Sequence, residues 1–333
     1  MLRRLLGERE IPARYEPLIE RFWPGPLTIL LPLPDPSPLA PEVTAGLATF
    51  GVRMPSSPLA LTLVKLAGAP LAAPSANAST KPSPTTAQHV RDDLDGRIEL
   101  ILDGGPCQVG VESTVVDGLC DPPAVLRPGG IGIEELRACP GWASVVRAYK
   151  DWSEEGKAAP RAPGMKYKHY SPRARVVLYE ASNRSAASGP LPSDVQAALA
   201  TISNGDSSHA VSRTIGIIRT KRWKLGAGLD LGILRPAPAS CEIGGEADQQ
   251  QSDSPYQVFV TDLETESGTP VGQVYDLGLG TDTRGIAQGL FAALRELDRR
   301  GTDTIFVDGI EGELDVAAAV MNRLRKAASE IRA

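Results

Sequence analysis

The strongest constraint on the fold is an alternation in the carboxyl-terminal half of the chain. Four short apolar runs occur there: RVVLYE (Arg175–Glu180), TIGIIRT (Thr214–Thr220), YQVFVTD (Tyr256–Asp262) and DTIFVDG (Asp303–Gly309). Their length and β-branched content predict buried strands. Two long amphipathic patterns, GIAQGLFAALRELDRRG (Gly285–Gly301) and LDVAAAVMNRLRKAA (Leu314–Ala328), predict helices. Strands alternating with helices of this length predict a parallel, doubly wound sheet.

The amino-terminal half reads differently. LTILLPL (Leu27–Leu33), ATFGVRM (Ala48–Met54), PLAAP (Pro70–Pro74), IELILDGG (Ile98–Gly105), STVVDG (Ser113–Gly118) and AVLRPG (Ala124–Gly129) predict short strands punctuated by glycine and proline. PLALTLVKLAG (Pro58–Gly68) predicts a helix with proline at its start and glycine after its end. PTTAQHVRDDL (Pro84–Leu94) predicts a second, capped by Ser83 or Thr85. Leu2, Leu5 and Leu6 share one face of a surface helix. The half is therefore mixed α/β.

A chain of 333 residues accommodates two domains. The polar segment WSEEGKAAPRAP (Trp152–Pro163) separates the halves. The predicted division is a domain over 1–150, a linker over 151–172 and a domain over 173–333. Ser182–Pro192 and Ala237–Pro255 have the composition of surface loops or disorder. A net charge of −5 gives no global basic field for nucleic acid. No apolar run reaches the roughly 18–20 residues of a membrane span. Cys107, Cys120, Cys139 and Cys241 show no CxxC pairing, so reduced thiols in a cytoplasmic protein fit better than a disulfide framework or a zinc site.

The chemistry gathers in loops at predicted strand ends, where open α/β folds bind ligands. PSANASTKPSPTT (Pro74–Thr86) carries six hydroxyls and three prolines. FWPGPLT (Phe22–Thr28) is rigid and aromatic, and FGVRMPSSP (Phe50–Pro58) presents Arg53. GVESTVVD (Gly110–Asp117) and LRPGGI (Leu126–Ile131) add Ser113, Thr114 and Arg127. Small hydroxyls and free amides suit a phosphate or carboxylate, and arginine can grip either with two bonds. Together these loops predict an anion-binding cleft, although any one alone reads as turn and cap chemistry. No G-x-x-x-x-G-K-[ST] or G-x-S-x-G occurs, which argues against a P-loop enzyme and a nucleophile-elbow hydrolase. GLGTDTRG (Gly278–Gly285) reads as a helix-start turn. APGMKYKHYSP (Ala162–Pro172) concentrates basic and aromatic residues and reads as an arm or a structural linker.

Through these motifs taken together, the chain resembles the two-domain threonylcarbamoyl-AMP synthases. The resemblance rests on FWPGPLT, GVRMPSSPLA, PLAAPSANASTKPSPTTAQHV, ILDGGPCQVGVESTVVD, VLRPGGI and PGMKYKHYSP, spanning about residues 20–172. It implies a YrdC-like twisted mixed sheet followed by a smaller Rossmann-like α/β domain. It also implies formation of threonylcarbamoyl-adenylate and pyrophosphate from L-threonine, bicarbonate and ATP with Mg2+. The product serves a tRNA threonylcarbamoyl transferase machinery.

By the same resemblance, Thr49, Ser75, Asn77, Ser83, Arg127 and Tyr167 bind ATP, and Arg53, Ala73 and Ser113 bind threonine. Tyr167, or alternatively Tyr170, acts as a lid. No side-chain nucleophile and no protein-held metal are implied. The family's amino-terminal T-x-T-V-Y-G-L-type strand and K-x-R-type motif have no counterpart here. The expectation is a truncated member, impaired or inactive as written. The competing readings are a non-catalytic RNA-binding module and a nucleotide-binding regulator of the same fold.

Overall fold

The computed structural model describes residues 1–7, 9–149, 169–200, 213–238, 256–264, 270–312 and 315–333. Contacts group the chain into two units. The first takes in Met1–Ala78, Thr86–Tyr167 and Gly312–Asn322; the second takes in Ser79–Thr85, Lys168–Glu311 and Arg323–Ala333.

The first unit is built on a mixed sheet of order β2-β1-β3-β4-β5. The strands are β1 (Leu27–Pro32), β2 (Thr49–Val52), β3 (Thr114–Asp117), β4 (Ala124–Arg127) and β5 (Val146–Arg147). β1 pairs antiparallel with β2 and parallel with β3. β4 runs antiparallel to β3 and parallel to β5. The helices are α1 (Leu2–Leu6), α2 (Glu16–Phe22), α3 (Pro41–Thr44), α4 (Pro58–Ala67), α5 (Ala87–Leu94) and α6 (Ile133–Arg137).

Leu27, Ile29 and Leu31 of β1 alternate onto one face and are fully buried with Tyr15, Leu18, Val116 and Trp142. Burying each such aliphatic side chain contributes roughly 1.5–3 kcal/mol. Tyr15 ties this core to the sheet. Its hydroxyl donates to the Leu30 carbonyl at 2.7 Å and accepts from the Gly118 amide at 2.7 Å. Burial raises its pKa well above the ordinary phenol value.

The predicted strands hold for four of the six runs in this half. PLAAP and IELILDGG form no strand. A strand needs a neighbour to take its backbone hydrogen bonds. Among the described residues the sheet places no strand beside either segment. Their side chains face outward: Leu71, Ile98, Leu100 and Leu102 are all exposed. α4 forms as expected, with Ser57 accepting from the Ala60 amide and Gly68 left-handed at its end, yet none of its residues is buried. The cap of α5 is Thr86, which accepts from the His89 amide, rather than Ser83 or Thr85.

The second unit carries a seven-stranded sheet of order β12-β6-β11-β7-β10-β9-β8. Its strands are β6 (Arg175–Tyr179), β7 (Arg213–Arg219), β8 (Arg235–Pro236), β9 (Gln257–Glu264), β10 (Pro270–Gly278), β11 (Thr304–Asp308) and β12 (Glu330–Arg332). Its helices are α7 (Pro192–Ala200) and α8 (Thr283–Arg299); α9 (Asp315–Ala327) divides by its contacts, its residues up to Asn322 grouping with the first unit and those from Arg323 with the second. β12, β6, β11, β7 and β10 are parallel, as the alternation predicts. β9 and β8 add an antiparallel edge.

α8 buries ten residues, among them Ile286, Leu290, Phe291 and Leu294. Asp282 caps it by accepting from the Gly285 amide at 2.8 Å, which makes GLGTDTRG a helix-start turn. Ser182–Pro192, expected as a surface loop or disorder, is a largely exposed loop with an anchor. Ala186 is fully buried and its carbonyl accepts from the Trp223 indole at 2.8 Å.

Asp308 ends β11 fully buried. It accepts from the Thr220 hydroxyl, the amides of Thr220, Arg222 and Trp223, and the Arg222 guanidinium. Arg222 also donates to the carbonyls of Tyr179, Ala181 and Asn183. Among the described residues no helix is long and apolar enough to cross a membrane.

Candidate active site

The site is built where β1, β3 and β4 lie side by side. Thr28 of β1 registers with Val115 of β3, and Val115 registers with Arg127 of β4. This brings three polar side chains together at one end of the sheet's three central strands. The hydroxyls of Thr28 and Ser113 lie 2.7 Å apart. Arg127 Nη2 donates to the Ser113 hydroxyl at 3.1 Å and to its carbonyl at 2.9 Å, and Nε donates to the same carbonyl at 3.2 Å. Ser113 is buried and Arg127 is half-buried. Two of its nitrogens on one backbone carbonyl fix the plane of the Arg127 guanidinium.

The turn after β4 fixes this group. The Thr114 hydroxyl donates to the Ile131 carbonyl at 2.7 Å and accepts from the Ile131 amide at 2.9 Å. The Thr114 amide reaches the Pro26 carbonyl at 2.9 Å, and the Gly130 amide reaches the Glu112 carbonyl at 3.2 Å. A Cβ on Gly129 would stand 2.3 Å from the Thr114 nitrogen and 2.4 Å from the Glu112 oxygen. Only glycine lets these two backbones approach so closely.

Thr49 opens β2, opposite Pro32 of β1. Arg53 follows β2 and keeps contact with solvent. The Gly25 amide donates to the Met54 carbonyl at 2.9 Å, so FWPGPLT is pinned beside Arg53. Loss of water around its charged end lowers the Arg53 pKa, and the nearby Cys107 thiol acts in the opposite direction. The same desolvation pushes the Cys107 thiol up, with Arg53 drawing it down.

Ala73 and Ser75 are exposed and Asn77 is half-buried. The Asn77 amide donates to the Ser75 carbonyl at 3.0 Å, and its side chain donates to the Ala78 carbonyl at 2.8 Å. The Ala78 amide then reaches Asp93 of α5 at 3.2 Å. The loop is thus tied to a helix, with the Ser75 hydroxyl left on the surface. Ser83 is buried and belongs by its contacts to the second unit.

Tyr167 lies outside the described residues. Tyr170, the alternative lid, is 1% exposed, with its ring 5.0 Å from that of Phe291 and 4.1 Å from that of His169. In this arrangement the Tyr170 side chain packs into the second unit's core. Thr28 and Cys107 lie in the quoted motifs but are not among the residues predicted to bind substrate. The lone hydroxyl in an otherwise apolar strand was the available signal for Thr28; Cys107 carried none.

Two family models together span nearly the whole chain. One, described as "Telomere recombination" (Sua5/YciO/YrdC), matches residues 1–129, and one described as "Threonylcarbamoyl-AMP synthase, C-terminal domain" matches residues 131–329. A threonylcarbamoyl-AMP synthase of Schizosaccharomyces pombe is 43% identical over 98% of this chain and 69% of the relative. One of Pyrococcus abyssi is 37% identical over 96% of this chain and 75% of the relative. The crystal structure of P. abyssi Sua5 complexed with L-threonine superposes with a TM-score of 0.67 at 35% identity, covering 97% of this chain and 76% of that one.

Proposed function

Because the chain belongs to the threonylcarbamoyl-AMP synthase family, we propose that it joins L-threonine, bicarbonate or CO2, and ATP into threonylcarbamoyl-adenylate, releasing pyrophosphate. The product would feed a tRNA threonylcarbamoyl transferase machinery in the cytoplasm. The observation that carries this reading is the contact between Arg127 and Ser113 at 3.1 Å. The resemblance assigns the first to ATP and the second to threonine. A reaction that joins two substrates needs their binding groups to be neighbours.

The threonine amine adds to CO2 and loses a proton, giving a carbamate. A carbamate oxygen then attacks the α-phosphorus of ATP as the bond to pyrophosphate breaks. Arg53 holds the threonine carboxylate with its guanidinium. Ser113, supported by Thr28, orients the amino acid. Arg127, Ser75 and Asn77 bind the nucleotide and stabilise charge as the α-phosphoryl group transfers.

Among the described residues no cluster of three or more His, Cys, Asp or Glu is arranged to hold a metal. A magnesium ion arriving on the triphosphate of the substrate would neutralise phosphate charge and take most of its ligands from phosphate and water. The residues act by positioning and charge rather than as nucleophiles.

The test is pyrophosphate release from ATP, with and without L-threonine and bicarbonate, on this chain and on Ser75→Ala/Asn77→Ala. Release is expected to need both co-substrates and to fall about 100-fold or more in the variant, the scale of lost charge-stabilising donors. Threonine-independent release, or release unchanged in the variant, would overturn the reading.

A further inference from the structure

We propose that Arg295 of α8 is a positioning residue for the nucleotide loop, holding the backbone that carries Ser83. The inference rests on the synthase reading above.

The loop PSANASTKPSPTT divides by its contacts. Pro74–Ala78 group with the first unit and Ser79–Thr85 with the second. Within the second unit the segment is gripped at two carbonyls. Arg295 directs Nε and Nη2 at the Pro82 carbonyl, at 3.0 and 2.6 Å. The Ser171 amide donates to the Thr80 carbonyl at 2.8 Å. At the Thr80 grip the backbone is strained. Thr80 has φ +75°, a left-handed conformation that a β-branched residue rarely adopts. Such a conformation persists only where its surroundings over-determine it, and it concentrates at functional sites.

The grip transmits to Ser83 because of the sequence on either side. Ser83 stands between Pro82 and Pro84, whose rings fix φ. The residue before a proline is itself restricted, so Ser83 has little freedom once Pro82 is held. The clamp is rigid at its other end too. Leu294 is fully buried and Glu296 nearly so, which fixes the α8 backbone on both sides of Arg295. A planar guanidinium can place two donors on one carbonyl, whereas an ammonium on a flexible stem offers a less directed contact. Arg295 is not a catalytic residue. It acts through the Pro82 carbonyl on a serine that the resemblance assigns to ATP.

The experiment compares Arg295→Met and Arg295→Lys with the parent chain. Affinity for α,β-methylene-ATP is measured by calorimetry, and KM for ATP, KM for threonine and kcat by pyrophosphate release. Arg295→Met is expected to weaken nucleotide binding and raise KM for ATP about tenfold, the scale of one lost charge-assisted contact. KM for threonine should stay within twofold, and Arg295→Lys should recover part of the loss. Equal weakening toward ATP and threonine, or analogue binding unchanged in Arg295→Met, overturns the assignment while leaving the synthase reading intact. Should Arg295→Met fail to fold, Arg295→Lys carries the same comparison. A parent chain that is folded and binds no analogue overturns the functional reading, and this assignment with it.

Discussion

Helices α4 and α8 look alike as sequence and differ sharply in the folded chain. Both are amphipathic, and both are capped by a side chain that accepts an amide of the first turn. α8 buries ten of its residues in the second unit. α4 buries none, and its Leu59, Leu63 and Leu66 are exposed, Leu66 at 82%. The surroundings match this contrast. Leu100, in a run expected to be a strand, is 73% exposed, whereas Ile305, Phe306 and Val307 of β11 are fully buried. Apolar periodicity and a good cap determine that a helix forms. Whether its face contributes to stability depends on what the rest of the molecule places against it.

The largest expected effect sharpens that contrast. Leu290→Ala in α8 should cost about 2–5 kcal/mol, the range for emptying a buried leucine site. Leu66→Ala in α4 should change stability by less than about 0.5 kcal/mol, as exposed sites do. Urea denaturation of the two variants measures both. Equal losses would break the comparison.

A smaller effect tests the first unit where it is tightly built. Gly129→Ala forces a Cβ to within 2.3 Å of a backbone nitrogen. It should cost about 1–3 kcal/mol, as overpacking does, and pyrophosphate release should fall with it. A fully stable and active Gly129→Ala chain would show that this turn moves freely.

The smallest effect is a pH dependence confined to the second unit. Arg332 donates Nε and Nη2 to the carboxylate of Asp194 at 3.0 and 2.8 Å, and this hydrogen bonding lowers the Asp194 pKa despite burial. A depressed folded-state pKa gives stability that is present above the unfolded carboxylate value and lost as pH falls through the folded one. Asp276 has the opposite sign, because burial raises its pKa despite the Arg219 guanidinium. Asp194→Asn should therefore reduce the acid-range loss of stability by on the order of 1 kcal/mol, the upper end for partly exposed ion pairs. Thermal melts between pH 2.5 and 6 would read it, and parallel curves for parent and variant would remove Asp194 from the account.

Legibility in the sequence follows the same division. The strands of the second unit's centre announce themselves because they are buried on both faces and so read as continuous apolar runs. β10 is central too, yet Gly272, Gln273 and Asp276 interrupt its pattern. Its polar residues are paired across the sheet, as Asp276 is with Arg219, and such pairing is invisible in one dimension. PLAAP and IELILDGG have the composition of strands and lack the neighbours.

In the site, Arg53, Arg127 and Ser113 were legible because glycine and proline frame them. The link from Thr28 to Ser113 spans 85 residues of chain. The link from Arg295 to Pro82 spans 213. Neither separation leaves a local trace.

The carboxyl end of the second unit's sheet carries a consequence of its own. In open α/β folds a ligand's charge commonly rests at that end. Here Asp308 and Arg222 meet there as an internal salt, with the guanidinium reaching across to the carbonyls that follow β6. The unit supplies both ion and counter-ion from its own chain. Its parallel strands are laced together at that end by groups of the chain itself. The expected signature is a hydrogen-exchange profile at the ends of β6, β7 and β11 that stays the same whatever small molecules surround the protein.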